Sequence, residues 1–182
     1  MNKKSFLSRR QFLQVSSVAA VSGQLLVSCA RHRLSESVLT AHEKELIEAI
    51  SDQIIPPDQD PGGKEAGVAD FIEIQLAGPY KRFQNDYRGG LARLEATAKA
   101  LRHKSFLDLS FEQQTELLVA LEGNQAPTDI WNSGEAGKFF RMVRDHCMQG
   151  FYGSPRHGGN RNYVSWKMLK LDYPQVCGRN LT

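Results

Sequence analysis

Tyr80, Phe83, Tyr87, Leu91, Leu94, Ala98 and Leu101 recur at steps of 3, 4, 4, 3, 4 and 3. A stripe of that spacing repeats with the α-helix and with no other regular structure, so this stretch folds as a long helix with one buried face. Gly89-Gly90 lowers its propensity by about 1 kcal/mol per residue without breaking the period. Elsewhere Thr40 with Glu43, and Ser110 with Gln113, have the spacing of capping boxes, in which each side chain satisfies the backbone N–H of the other residue. The first box opens a helix carrying Leu46, Ile47, Ile50 and Ile54 that stops at Pro56-Pro57, since proline lacks the N–H to continue it. The second opens a helix carrying Leu117, Leu118 and Leu121, closed by Gly123. Further helices are predicted over Val68 to Leu76, ended by Gly78-Pro79, over Glu135 to Gly150 with Phe140, Val143 and Cys147 on one side, and over Val164 to Leu169. Period-2 alternation is absent. The expected fold is all-α, a compact bundle of five or six helices with a glycine-rich C-terminal segment, residues 150–162, laid over it.

The N-terminus reads as an address rather than as part of that bundle. Ser8-Arg9-Arg10-Gln11-Phe12-Leu13 resembles the twin-arginine export signal, and Leu26-Val27-Ser28-Cys29 resembles the lipobox at which bacterial lipoproteins are cut and lipidated. The apolar run between them, Val15 to Val27, is too short and too polar for a membrane span, which needs about 20 apolar residues. Cleavage after Ala30 by the ordinary peptidase is the alternative to lipidation at Cys29. The expected organisation is a signal over residues 1–28, a tether over 29–39 and a helical domain over 40–182, placed in the periplasm and lipid-anchored to the membrane. Twin-arginine export carries folded cargo, most of which holds a cofactor. The rest of this chain offers no cofactor motif.

Charge and composition exclude several classes. Residues 1–28 hold Lys3, Lys4, Arg9 and Arg10 and no acid, so removing them leaves the other Lys and Arg nearly balanced against 20 Asp and Glu. Neither a nucleic-acid surface nor a polybasic membrane patch is indicated. No G-x-G-x-x-G follows a strand and no C-x-x-C-H is present. Leu39 and Val143, three residues before His42 and His146, exclude the Glu-x-x-His pair of di-iron bundles. His146, Cys147, His157 and Cys177 match no zinc spacing, and Asp58, Asp60 and Glu65 lie beside a double proline in what reads as a solvated turn. No catalytic, cofactor-binding or metal residue is therefore expected in this chain. Cys147 and Cys177 are either a disulfide, which the periplasm permits, or two buried thiols.

One segment has the composition of a site. Pro155, Arg156, His157, Gly158, Gly159, Asn160 and Arg161 lead into Tyr163 and Trp166. Glycines allow close backbone approach to another surface, arginines offer forked donors, and Tyr and Trp are common interface anchors. The plainer reading is an internal turn whose arginines cap helix ends, with Trp166 in the core. For the segment as a whole the expectation is partner binding through Pro155, Arg156, Gly158, Gly159, Asn160, Arg161, Tyr163 and Trp166.

Three stretches together resemble the gluconate 2-dehydrogenase subunit 3 family, the small subunits of membrane-bound FAD-dependent sugar and alcohol dehydrogenases. They are Arg9-Arg10, then Ile54-Ile55-Pro56 running into Gly63-Lys64-Glu65-Ala66-Gly67-Val68, then Gly150-Phe151-Tyr152 through Pro155-Arg156 to Gly158-Gly159-Asn160-Arg161 and Trp166-Lys167. The resemblance implies a non-catalytic escort that carries the export signal for a large flavoprotein. FAD would sit in that partner, and a cytochrome c subunit often accepts the electrons. Lys170-Leu171-Asp172 before Tyr173-Pro174, and the lipobox itself, depart from the family pattern. Two other readings are a stand-alone periplasmic binding lipoprotein and an independent metalloenzyme folded before export.

Overall fold

The computed structural model, which describes residues 37–171, contains α1 (Ala41–Ile54), α2 (Val68–Ala77), α3 (Gln84–Arg102), α4 (Phe111–Glu122), α5 (Glu135–Tyr152) and α6 (Val164–Met168). No strand occurs among the described residues, and the fold is all-α. The twin-arginine motif, the lipobox, the tether as far as residue 36, Asp172 to Pro174 and Cys177 lie outside the described residues.

Both capping boxes are formed. Thr40 Oγ1 accepts from the N–H of Glu43 at 3.1 Å while Glu43 accepts from the N–H of Thr40 at 2.7 Å, and Ser110 with Gln113 repeats the exchange. Removing such a cap costs about 1 kcal/mol. After α1 the chain turns through Pro56-Pro57 and returns, with Gly63 N–H donating to Ile55 O at 3.0 Å and Lys64 N–H to Asp52 Oδ1 at 2.7 Å. A Cβ on Gly63 would stand 2.6 Å from Ser51 O, which is why this turn needs glycine. Burial holds the Asp52 carboxyl above its usual range, against the lowering effect of that hydrogen bond.

The α5 helix is the hub, packed against each of the other five. Its buried side chains, Phe139, Phe140, Val143, Cys147 and Phe151 among them, meet Leu46, Ile47 and Ile50 of α1, Phe71 and Ile72 of α2, Leu91 and Leu94 of α3, and Leu117 and Leu121 of α4 in one core. Fully burying an aliphatic or Phe side chain contributes about 1.5–3 kcal/mol, so this cluster is the main source of stability. Gly90 is what brings α3 onto α5, since a Cβ there would fall 2.1 Å from the Phe139 ring. The predicted stripe on α3 is buried at Tyr87, Leu91, Leu94 and Ala98, but Leu101 is 52% exposed. The helix outruns the core by one turn, and Leu101 is left facing solvent. Trp131, in the connection between α4 and α5, is buried and donates from Nε1 to Thr97 Oγ1 at 2.9 Å.

Candidate functional site

The segment after α5 is a clamp, and its geometry follows from its glycines. Gly158 takes φ +100°, and Gly159 runs so close to α5 that a Cβ would lie 2.1 Å from Gly150 O. Asn160 is fully buried. Its Nδ2 donates to Gly153 O at 2.9 Å, and its Oδ1 accepts from the N–H of Ser165 at 3.0 Å, so one side chain ties the end of α5 to the start of α6. Arg161 N–H donates to Ala66 O at 2.9 Å, pinning the clamp to the entry of α2. The guanidinium of Arg161 crosses Gly67 and pairs with Asp70, whose other oxygen accepts from Lys44 Nζ at 2.6 Å. These partners are one-third to one-half exposed, so the pair is worth about 0–1 kcal/mol. Trp166 Nε1 donates to Tyr152 O at 3.1 Å, and its ring lies 5.6 Å from that of Tyr163.

Within the chain, the segment expected to bind a partner is tied down as follows. Gly158, Gly159 and Asn160 face the chain's own helices, Arg161 reaches Asp70 rather than an acceptor elsewhere, and the Trp166 indole N–H is already bonded. Arg156 remains exposed, with its Nε 3.0 Å from His157 Nε2, and Pro155 is half-buried in the turn before it. The backbone is held under strain: Asn160, Asn162 and Tyr163 have φ of 45°, 57° and 60°. Asn tolerates that region and Tyr does so rarely, at roughly 1–2 kcal/mol each.

Beside the clamp runs a groove that the sequence reading did not find. Phe71, Gln75, Tyr80, Met148, Tyr152 and His157 line it, and no lining residue is a carboxylate. Met148 and Tyr152 are 41% and 39% exposed, and Ile74, which packs beside Gly158, is 52% exposed. Met148 and Tyr152 are four apart on α5, outside the Phe140–Val143–Cys147 stripe, and that spacing was the available signal.

Behind the groove sits a second feature absent from the sequence reading. His146 is stacked on Tyr80 with ring centroids 4.4 Å apart, edged by Phe83, and 2.9 Å from the Tyr87 hydroxyl through Nδ1. Burial holds the Tyr87 phenol well above its ordinary value and His146 below its own, so the neutral phenol donates to the neutral imidazole. Asp145 opposes the lowering of His146 and Arg82 adds to it. A histidine whose folded pKa lies below the unfolded value, about 6.5, leaves the unfolded chain binding more protons between the two. Its stabilising contribution is therefore complete above about pH 6.5 and is lost as pH falls through the folded value. Melting temperature should fall from pH 7.5 to pH 5, and His146→Gln, which still accepts from Tyr87, should flatten the curve. Parallel curves for the two proteins would remove His146 as the cause.

Cys147 is a free thiol, fully buried, and burial pushes its pKa up to about 12. Cys177, the other cysteine of the disulfide-or-thiols alternative, lies outside the described residues. No three His, Cys, Asp or Glu side chains converge among the described residues in the way a metal ion requires. No described helix is long and apolar enough to cross a membrane.

What the fold defines is a small all-α domain closed by its own C-terminal clamp. Residues 41–172 match the family model described as gluconate 2-dehydrogenase subunit 3, and the chain belongs to that family. No curated protein and no solved structure matches it. A subunit of a gluconate dehydrogenase complex works beside dehydrogenase partner subunits.

Proposed function

We propose that this chain is the non-catalytic small subunit that escorts a flavoprotein dehydrogenase through twin-arginine export and supports it at the membrane through a lipid on Cys29. The observation that carries the reading is the division of the chain. The family match begins at residue 41, leaving Arg9-Arg10, the apolar run and Cys29 as a separate address ahead of a domain built for assembly. In this reading FAD belongs to the partner, and the sequence of this chain carries no G-x-G-x-x-G fingerprint after a strand. That partner oxidises a sugar, sugar acid or polyol, and a cytochrome c subunit takes the electrons onward. Substrate chemistry then lies with the partner, while this chain supplies the address, the anchor and a docking surface.

Affinity purification of the tagged chain from native membranes tests this. The expected product is a complex with an oxidised-flavin absorption spectrum that bleaches when a sugar acid, sugar or polyol is added. A chain that elutes alone, folded and colourless, would contradict the reading in favour of a stand-alone lipoprotein.

A further inference from the structure

We propose that the groove between α2 and the last turns of α5 is the seat of the dehydrogenase partner subunit, which fills it with apolar side chains flanked by a carboxylate. This rests on the escort reading and goes beyond it by placing the contact. Membership in a subunit family means that some face of the domain is buried in a complex. Exposed large apolar side chains elsewhere stand on α3, on α4 or after α6, at Leu101, Phe111, Val119, Leu169 and Leu171. Here two of the exposed side chains among the described residues, Met148 and Tyr152, line one concavity with an aromatic floor, Phe71 and Tyr80. Concavity favours inserted side chains over a flat lipid surface.

Charge selects the partner's chemistry. Residues 155–171 carry Arg156, Arg161, Lys167 and Lys170 and no acid. Arg161 is engaged by Asp70, whereas Arg156 and His157 stand together, exposed, at the groove's rim. An acidic group on the partner is matched there, and a basic one is repelled. The clamp thus has a structural role in the interface. Asn160, the two close glycine approaches and the Trp166–Tyr152 bond hold the rim in place before the partner arrives, which lowers the ordering entropy of association. Gly158, Gly159 and Asn160 thus build the site, while Arg156 and His157 meet the partner.

The test uses the tagged full chain expressed in the native cell in place of the wild type. Met148→Glu/Tyr152→Ala should reduce the flavin recovered per chain at least tenfold. Both side chains are exposed, so the melting temperature of the purified chain should stay within a few degrees of wild type. Phe111→Glu/Val119→Glu, at more exposed positions on α4, should recover flavin as the wild type does. Full recovery by the first variant, or equal loss by both, overturns the groove as the seat. Wild-type chain that brings down no flavoprotein overturns the escort reading, and this proposal with it. A photoreactive benzophenone side chain at position 148 should crosslink to the flavoprotein. Crosslinking instead to a second copy, to lipid or to residues 172–182 assigns the groove another occupant and also overturns the proposal.

Discussion

Gly159→Ala is expected to be among the most damaging single substitutions in the domain, although it adds one methyl group. The new Cβ would lie 2.1 Å from Gly150 O, 2.8 Å from Gly150 C and 3.0 Å from Gly150 Cα. All three are backbone atoms of α5, so no rotamer change relieves the clash and the clamp must move away. Moving it removes the Asn160–Gly153, Ser165–Asn160 and Arg161–Ala66 hydrogen bonds together. At about 1 kcal/mol net for each bond, the loss is about 3 kcal/mol, or about 10 °C in Tm for a domain of this size. Gly89→Ala is the internal comparison. Its nearest neighbour would be Arg93 Nη1 at 3.8 Å, and an alanine inside a helix stabilises by about 0.5–1 kcal/mol over glycine. Thermal denaturation of both variants should move Tm in opposite directions. A Gly159→Ala protein that melts with the wild type would show that the clamp is not packed as described.

How much of this was legible in the sequence depends on how local each feature is. The starts of α1 and α4 were readable because a capping box is complete within four residues. The α3 stripe was readable from Tyr87 to Ala98, where one face of one helix carries it, but its ends were not: Tyr80 and Phe83 precede the helix, in a turn and a 3-10 turn. Whether Leu101 is covered depends on a neighbouring element, which the period cannot report. The clamp's internal contacts were not legible in the sequence. Glycine signals that another backbone comes close, and it says nothing of whose backbone that is. Arg161 and Asp70 are 91 residues apart, and neither carries a local sign of the other. The same distance hides the groove, which needs α2 and α5 side by side before Phe71, Met148 and Tyr152 become one surface. The turn from Ile54 to Val68, quoted for the family resemblance, has a packing reason in Gly63 against Ser51 that only the folded chain displays.

Arg9→Lys/Arg10→Lys should have the largest effect on the cell. The change keeps both positive charges and removes the two guanidinium forks, so it separates recognition of the pair from simple electrostatics. A twin-arginine motif is an address read by a receptor, not an anchor. If the partner travels only as cargo of this chain, its fate follows two side chains that it does not contain. Fractionation of cells carrying the double-lysine variant, with flavin measured in each compartment, is the most direct measurement. The escort account predicts that both the small chain and a flavin-loaded dehydrogenase accumulate in the cytoplasm, with periplasmic flavoprotein reduced more than tenfold. Normal amounts of that flavoprotein in the periplasm while the small chain stays behind would contradict it.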